Sequence, residues 1–284
     1  MPVWPDPQSA SLRLSLLQFA PRMRDEPANV ATISGMLASG AADLALTPEL
    51  SLTGYDLRDA VTDAARSTWP AFPWPVATVI GAIESASGPV YNVAALARPS
   101  GTGIVHRKVY LPTYGMFDEG RYFGRGDRIA PFEINGWRIG VLICEDFWHP
   151  ALAYLLAMQG IHALLVMAAA PGRGALAGGE AGAFFASTDS WERIARTTAQ
   201  LYGIYVAVCN RTGVEGGVTF AGESMIVAPD ARVLARGGVE PQRLDVVLES
   251  SEVMRARRPG AHLRDEDTRW LLAELQRING DAGR

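Results

Sequence analysis

Short apolar runs recur along the 284 residues of this chain, each cut off by glycine, proline or a polar residue. Runs of that length suit strands and are too short for most helices. Strands are predicted over residues 12–19, 43–47, 78–82, 92–97, 104–109, 139–143, 163–167, 205–208, 224–228 and 244–248. Helical periodicity is confined to 26–37, 150–158, 190–202 and 267–276, with Ser190 as the expected cap of the third, although Arg193 stands where a capping box has Glu. So many strands in one chain imply one large sheet or two stacked ones, and so few helices suffice only for the outer faces. The expected fold class is α/β, a two-sheet sandwich with helices outside, four layers in all. No linker divides the chain, so residues 11–250 are expected to form one domain. Residues 251–284 are expected to form a helical tail, packed on the domain or at an oligomer interface.

Composition narrows the partners. Hydrophobic residues make up 48% and charged residues 20%, which is globular composition. A net charge of -4 argues against nucleic acid, which needs a concentrated basic surface. The densest basic cluster, Arg255 to Arg258, is short and is flanked by Glu252 and Asp265. The opening MPVWPDPQSA shows no basic stretch leading into an apolar one, so no signal peptide is expected. The longest apolar run, 161–170, contains His162 and stops at Pro171, short of a membrane span. Two cysteines, Cys144 and Cys209, fit a reducing compartment, and a cytoplasmic location without a membrane partner is expected. Neither H-E-x-x-H nor a Cys/His cluster is present, so no metal and no cofactor are expected.

One residue stands out by count. Lys108 is the only lysine; the other 25 of the 26 basic residues are arginines. Genomic base composition alone can produce such a bias. A position that keeps Lys among so many Arg is also one that needs a compact point charge rather than a flat guanidinium. Lys108 follows an apolar strand, and so do Glu49 and Cys144. Strand ends are where loops converge on a ligand crevice. Singly, each has a plainer reading: a buried structural thiol, a turn glutamate, a surface lysine. Together they suffice for acyl transfer, because a thiol needs a base or a nearby positive charge to act as nucleophile. Glu49 would take the proton and Lys108 would stabilise negative charge. His106 and His162 sit in apolar runs and make no obvious pair with a cysteine, while His149 is expected near the site without being its base. Cys209, at the end of YVAVC, is expected to be structural.

The segment 172–182 (GRGALAGGEAG) is expected to be a loop over the site. Gly172, Gly174 and Ala177 spell G-x-G-x-x-A, but they lack the surrounding βαβ unit and the later acidic residue of a dinucleotide turn. A substrate-lining loop is the better expectation.

Three blocks, PELSLTGY (48–55), RKVYLPTYGMFDEGRYF (107–123) and GVLICEDFWHP (140–150), carry these residues. With VCNRTG (208–213) and TFAGESMIVAPDARVLA (219–235), they resemble the nitrilase superfamily of carbon-nitrogen hydrolases, most closely the glutaminase domain of glutamine-dependent NAD synthetase. The resemblance implies a four-layer α-β-β-α sandwich of two mixed sheets, with 11–250 as the carbon-nitrogen hydrolase domain. It implies a triad of Cys144 as nucleophile, Glu49 as general base and later acid, and Lys108 as oxyanion stabiliser. Glu119 would orient substrate and lysine, the backbone N–H following Cys144 would be a second oxyanion donor, and Tyr114 and Glu145 would contact substrate. Two features depart from the glutaminase pattern. A Ser-Pro element is replaced by Ala168, Ala169, Ala170, Pro171 and Gly172, and a synthetase domain is expected to be absent. The expected reaction is therefore hydrolysis of a small amide C–N bond, releasing ammonia or an amine. The alternative is a glutaminase subunit feeding a separate synthetase partner, and a non-catalytic scaffold is disfavoured because every catalytic position is intact. A homodimer or larger homo-oligomer is implied by the same resemblance.

Lys108→Arg is expected to lose most amide hydrolysis. Near-normal turnover of that variant would show that the lone lysine reflects base composition only.

Overall fold

A computed structural model describes residues 5–115, 117–176, 184–258 and 261–281. Two six-stranded mixed sheets face each other among these residues. The first contains β1 (Ser11–Gln18), β2 (Leu44–Leu46), β3 (Ala77–Ser85), β4 (Val90–Arg98), β5 (Gly101–Arg107) and, far along the chain, β16 (Gln242–Glu249), in the order β16-β1-β2-β3-β4-β5. The second contains β6 (Phe132–Ile134), β7 (Trp137–Ile143), β8 (Ala163–Ala168), β11 (Tyr205–Asn210), β14 (Met225–Val227) and β15 (Val233–Arg236), in the order β15-β14-β11-β8-β7-β6. Each has a parallel centre, β1-β2-β3 and β7-β8-β11, with antiparallel neighbours outside. Two short ribbons complete the strands: β9 (Ala175–Leu176) with β10 (Phe184–Phe185), and β12 (Thr212–Glu215) with β13 (Val218–Ala221).

The period-2 alternation explains the layering. On β1, Leu12, Leu14 and Leu16 join the core between the sheets, whereas Leu17 turns to the other face and packs with Ile33 and Leu37 of α1 (Glu26–Ala38). Leu44 and Leu46 of β2 and Ala94 and Leu96 of β4 point the same way as Leu14; Ala45, Val93 and Ala95 point toward α1. In the second sheet, β8 is buried on both faces. The sheet is covered outside by α4 (Pro150–Met158), over β7 through Leu152 and Leu156, and by α5 (Ala186–Tyr202), over β11 and β14 through Trp191, Ala195 and Ala199. The result is the four-layer arrangement, with short helices α2 (Val61–Ala64) and α3 (Glu119–Tyr122) in the connections. The tail contains α6 (Ser250–Arg257), α7 (Ala261–Arg264) and α8 (Thr268–Asp281). It touches α4 through Tyr154 to Glu266 (2.8 Å) and α5 through His262 to the Leu201 carbonyl (2.8 Å). Residues 259, 260 and 282–284 of the expected tail lie outside the described residues. Among the described residues no helix is long and apolar enough to cross a membrane.

Several boundaries differ from expectation. β5 ends at Arg107, so Lys108 lies just beyond the strand, and β16 opens earlier than expected, at Gln242. The helix expected from Ser190 begins at Ala186 instead, with no side-chain cap, and ends at Gly203, whose φ of 57° closes it in the left-handed conformation. β6, β12, β13 and β15 were not expected from pattern, being short and mixed in polarity.

Gly81 shows how the fold seats the first sheet's loop. The backbone from Pro48 to Leu50 crosses β3 at this residue so closely that a Cβ there would lie 2.3 Å from the Leu50 nitrogen and 2.6 Å from the Pro48 carbonyl oxygen. Ser51 Oγ accepts the Gly81 N–H (3.0 Å), and the Leu52 N–H reaches the Gly81 carbonyl (3.0 Å). Gly81→Ala is expected to destabilise the protein by about 1–3 kcal/mol, the usual cost of overpacking. It should also displace Glu49, and the melting temperature should fall; an unchanged melting temperature would contradict the close crossing.

Candidate active site

Glu49, Lys108 and Glu119 meet in a buried cluster. Lys108 is fully enclosed, and its Nζ donates to Glu49 Oε1 (2.6 Å) and to Glu119 Oε1 (2.7 Å). Glu49 leaves β2 through Thr47 and Pro48, and the following Leu50 has a φ of 49°, a turn that returns the chain across β3. Glu49 Oε1 also accepts from Asn92 Nδ2 on β4 (2.8 Å), whereas Oε2 has no hydrogen-bond partner among the described residues. Glu119 opens α3, and its Oε1 also accepts from the Tyr55 hydroxyl. The Lys108 backbone is held on both sides: its N–H donates to the Asn92 carbonyl (2.9 Å) and its carbonyl accepts from Gly126 (2.8 Å).

Cys144 comes from the other sheet. It ends β7 at the start of a 3-10 turn spanning Cys144–Trp148, with a φ of 45°. A non-glycine residue in that region sits on a sharp, sparsely populated bend of the kind that clusters at functional sites. Its sulfur lies within electrostatic reach of Glu49, Lys108 and the Ala169 backbone N–H. Burial pushes the Cys144 thiol well above its usual range; Glu49 adds to this, while Lys108 and the Ala169 N–H oppose it. The resting group is therefore a neutral thiol. For Lys108, burial disfavours the charge, but Glu119 and Glu49 outweigh it and hold the ammonium well above its ordinary pKa. Burial raises Glu119 to about 7 against the pull of Lys108.

Cys144 opens into a cavity of about 240 Å³ whose walls include Tyr114, Phe117, Glu145, Trp148, Arg173 and Trp191. At its rim the Tyr114 hydroxyl donates to Glu145 Oε2 (2.6 Å), so the two expected substrate contacts are paired with each other. Burial, and then the Glu145 carboxylate, move the Tyr114 hydroxyl up to about 12. Of the expected loop, Arg173 lines this cavity, next to Pro171 just before it, and residues 177–182 lie outside the described residues, as does Ala177 of the G-x-G-x-x-A string. Gly172 is where the Phe185 ring packs: a Cβ there would come within 2.6 Å of it.

His149 stacks on Tyr110 with ring centroids 3.4 Å apart, and its Nε2 lies 3.8 Å from Glu145 Oε1. His162 accepts the Arg138 N–H (2.9 Å) and is pushed down to about 4 by burial. Cys209 is fully buried in β11, and burial raises its thiol. Among the described residues, no group of three or more His, Cys, Asp or Glu is arranged to hold a metal.

Sequence pattern did not single out Asn92, Tyr55, Asp146 or Asn210, and it set His106 aside as part of an apolar run. Tyr55 is placed by Glu215, which accepts the N–H groups of Tyr55 and Asp56 (both 2.7 Å) and pairs with buried Arg211 (3.0 Å). Asn210 accepts the Ala170 N–H (2.8 Å), steadying the segment that faces the thiol. Asp146 takes hydrogen bonds from the chain around both Lys108 and Cys144. The available signal was position: Tyr55 closes PELSLTGY, Asp146 lies inside CEDFW and Asn210 inside VCNRTG.

Residues 13–255 match the carbon-nitrogen hydrolase family, and the chain belongs to it. A glutamine-dependent NAD(+) synthetase of Thermotoga maritima is 29% identical over 263 residues, covering 86% of this chain, which spans only 43% of that protein's length. An (R)-stereoselective amidase of Pseudomonas sp. is 28% identical, over 96% of this chain and 97% of its own. Among solved structures, the amidase of Nesterenkonia sp. AN1, a nitrilase-superfamily enzyme, superposes with a TM-score of 0.68. It is 25% identical, with 88% of this chain and 98% of that one covered, and was solved with acrylamide added at its active site cysteine. The family resemblance drawn from the sequence blocks is thus borne out, and so is the α/β sandwich.

The buried Glu119 carboxyl gives stability a pH signature. Its folded pKa of about 7 lies above the ordinary 4.5, so between those values the folded protein retains a proton that the unfolded chain has released. Stability should therefore decline as pH rises through that window. Glu119→Gln removes the titration. Melting curves of both proteins from pH 4.5 to 7 should show wild type losing ground relative to the variant, and parallel profiles would contradict the raised pKa.

Proposed function

We propose that this chain hydrolyses the C–N bond of a small amide through a thioester on Cys144. The observation that carries the proposal is a cavity-facing thiol on one sheet beside a buried Glu49–Lys108–Glu119 cluster on the other. With the thiol neutral at rest, attack needs a base; Glu49 Oε2 and Glu119 Oε2 both lack a competing partner among the described residues, and Glu49 is the one whose charge bears more strongly on the thiol. As sulfur bonds to the substrate carbonyl carbon, the thiol proton passes to Glu49. Lysine has three N–H donors, of which two are held by carboxylates at 2.6 and 2.7 Å, leaving one for the developing oxyanion. The Glu145 N–H, at the start of a turn whose first amides lack intrahelical partners, is the second donor. Glu49 then returns the proton to the leaving nitrogen, the C–N bond breaks, and ammonia or an amine departs. Water, deprotonated by Glu49, attacks the thioester; the acid leaves and the proton returns to sulfur. Glu119 holds Lys108 in place. Tyr114 and Glu145 at the rim bind the rest of the substrate, and residues 11–250 form the catalytic domain with 251–284 as its tail.

A second reading is supported by the synthetase relative, of whose length the chain spans 43%. In it, the chain is a glutaminase that hands ammonia to a separate synthetase. The hydroxyl absent from Ala170 has a neighbour here: Ser187 Oγ donates to the Pro171 carbonyl (3.1 Å) in the cavity wall. Contact between copies of the chain through outer helices belongs to the same proposal.

Incubation with acetamide, propionamide, glutamine and asparagine, followed by intact mass spectrometry, should reveal an acyl adduct on Cys144 and ammonia release. Cys144→Ala should lose both by at least about 10³-fold while melting like wild type. An adduct on Cys209, or turnover surviving in the variant, would sink the mechanism. Glutamine turnover rising only when a synthetase chain is added would select the second reading.

A further inference from the structure

The groups of the proposed mechanism come from different sheets. Glu49 and Lys108 leave the ends of β2 and β5 in the first, and Cys144 leaves β7 in the second. Within the first sheet the register of Glu49 and Lys108 is set by their own ion pair and by Asn92. Something must set the register between the sheets.

The buried carboxylate of Asp146 does so by position. Its Oδ1 accepts the backbone N–H of Val109 (3.0 Å) and Tyr110 (2.8 Å), the two residues after Lys108. Its Oδ2 accepts the N–H of Ile143 (3.2 Å), the residue before Cys144, and lies 2.7 Å from His106 Nε2, two residues before Lys108. Four donors fill the roughly four acceptor sites of one carboxylate. Three of them flank the lysine and the fourth flanks the nucleophile. Both side chains are enclosed, 0% and 1% exposed, so water does not share these bonds. Neither touches the cavity that would hold substrate.

We infer that Asp146, oriented by His106, is a positioning residue that holds the Cys144 thiol in register with Lys108 across the two sheets. This rests on the proposed role of Cys144 as nucleophile. The contacts are to main-chain amides next to the reacting residues and not to the rim, so the effect falls on the step after binding. A misplacement of about 1 Å in such a site costs on the order of 10²-fold in rate.

The variants separate positioning from stability. Asp146→Asn keeps one oxygen for Val109 and Tyr110 and turns an NH2 group toward Ile143 and His106. The histidine adapts by changing tautomer, but the Ile143 N–H is left without an acceptor. His106→Ala removes the orienting donor; His106→Gln restores an N–H at similar reach. Each protein is assayed well below its measured melting temperature for kcat and KM, using whichever amide of the panel turns over fastest. The rate of iodoacetamide alkylation of Cys144 is followed by mass spectrometry. Asp146→Asn should lower kcat about 10²-fold with KM within about threefold, and alkylation should slow in parallel. His106→Ala should shift the same quantities in the same direction, and His106→Gln should recover most of the loss. Wild-type kcat and alkylation in Asp146→Asn and His106→Ala, or a rise in KM alone, would overturn the inference while leaving the proposed function intact. If Asp146→Asn does not fold, the His106 pair decides alone. If Cys144→Ala retains turnover, the nucleophile assignment fails and this inference with it.

Discussion

A fully buried ammonium group is the constraint on which the site is organised. Removing a charge from water costs several kcal/mol unless close partners replace its hydration. Lys108 has two, both carboxylates within 2.7 Å. Those partners are themselves enclosed and need donors, which Asn92 and Tyr55 supply. Tyr55 in turn is placed by Glu215 and Arg211 at the β12-β13 ribbon. One charge thus fixes side chains from the turn after β2, β4, α3 and the ribbon. A guanidinium, larger and flat, would not fit between two carboxylates that converge on a single nitrogen.

The arrangement favours a protonated, guarded nucleophile. Where a cysteine sits beside an imidazolium it rests as thiolate. Here burial and the adjacent Glu49 keep the proton on sulfur. Within the proposed mechanism, proton transfer and carbon-sulfur bond formation then belong to the same encounter with substrate, and the thiol is comparatively inert between turnovers.

Legibility in the sequence followed the range of the interaction. The long strands were readable because their alternation is local: Leu12, Leu14 and Leu16 repeat at period 2 whatever the rest of the chain does. Glu49, Lys108 and Cys144 were readable because each ends such a strand. Ribbon β12-β13 was not, since Thr212–Glu215 is short and half polar and depends on pairing with its neighbour. Asp146 was hidden for a different reason. Its role lies in reaching amides 36 and 37 residues away, which no local pattern encodes. The early start of α5 likewise has no cap signal at Ala186 and follows from the chain reversal at β10. The rim pair Tyr114–Glu145 came only through the family blocks; as bare sequence both read as surface residues.

The enclosure of Lys108 also reaches beyond chemistry at the thiol. Because the chain has no second lysine, the folded protein presents no lysine amine on its surface, and acylating or aldehyde reagents find no ε-amino group while the sandwich stays closed. Lysine labelling therefore reads out opening of the core directly, one site per molecule, without any engineered probe.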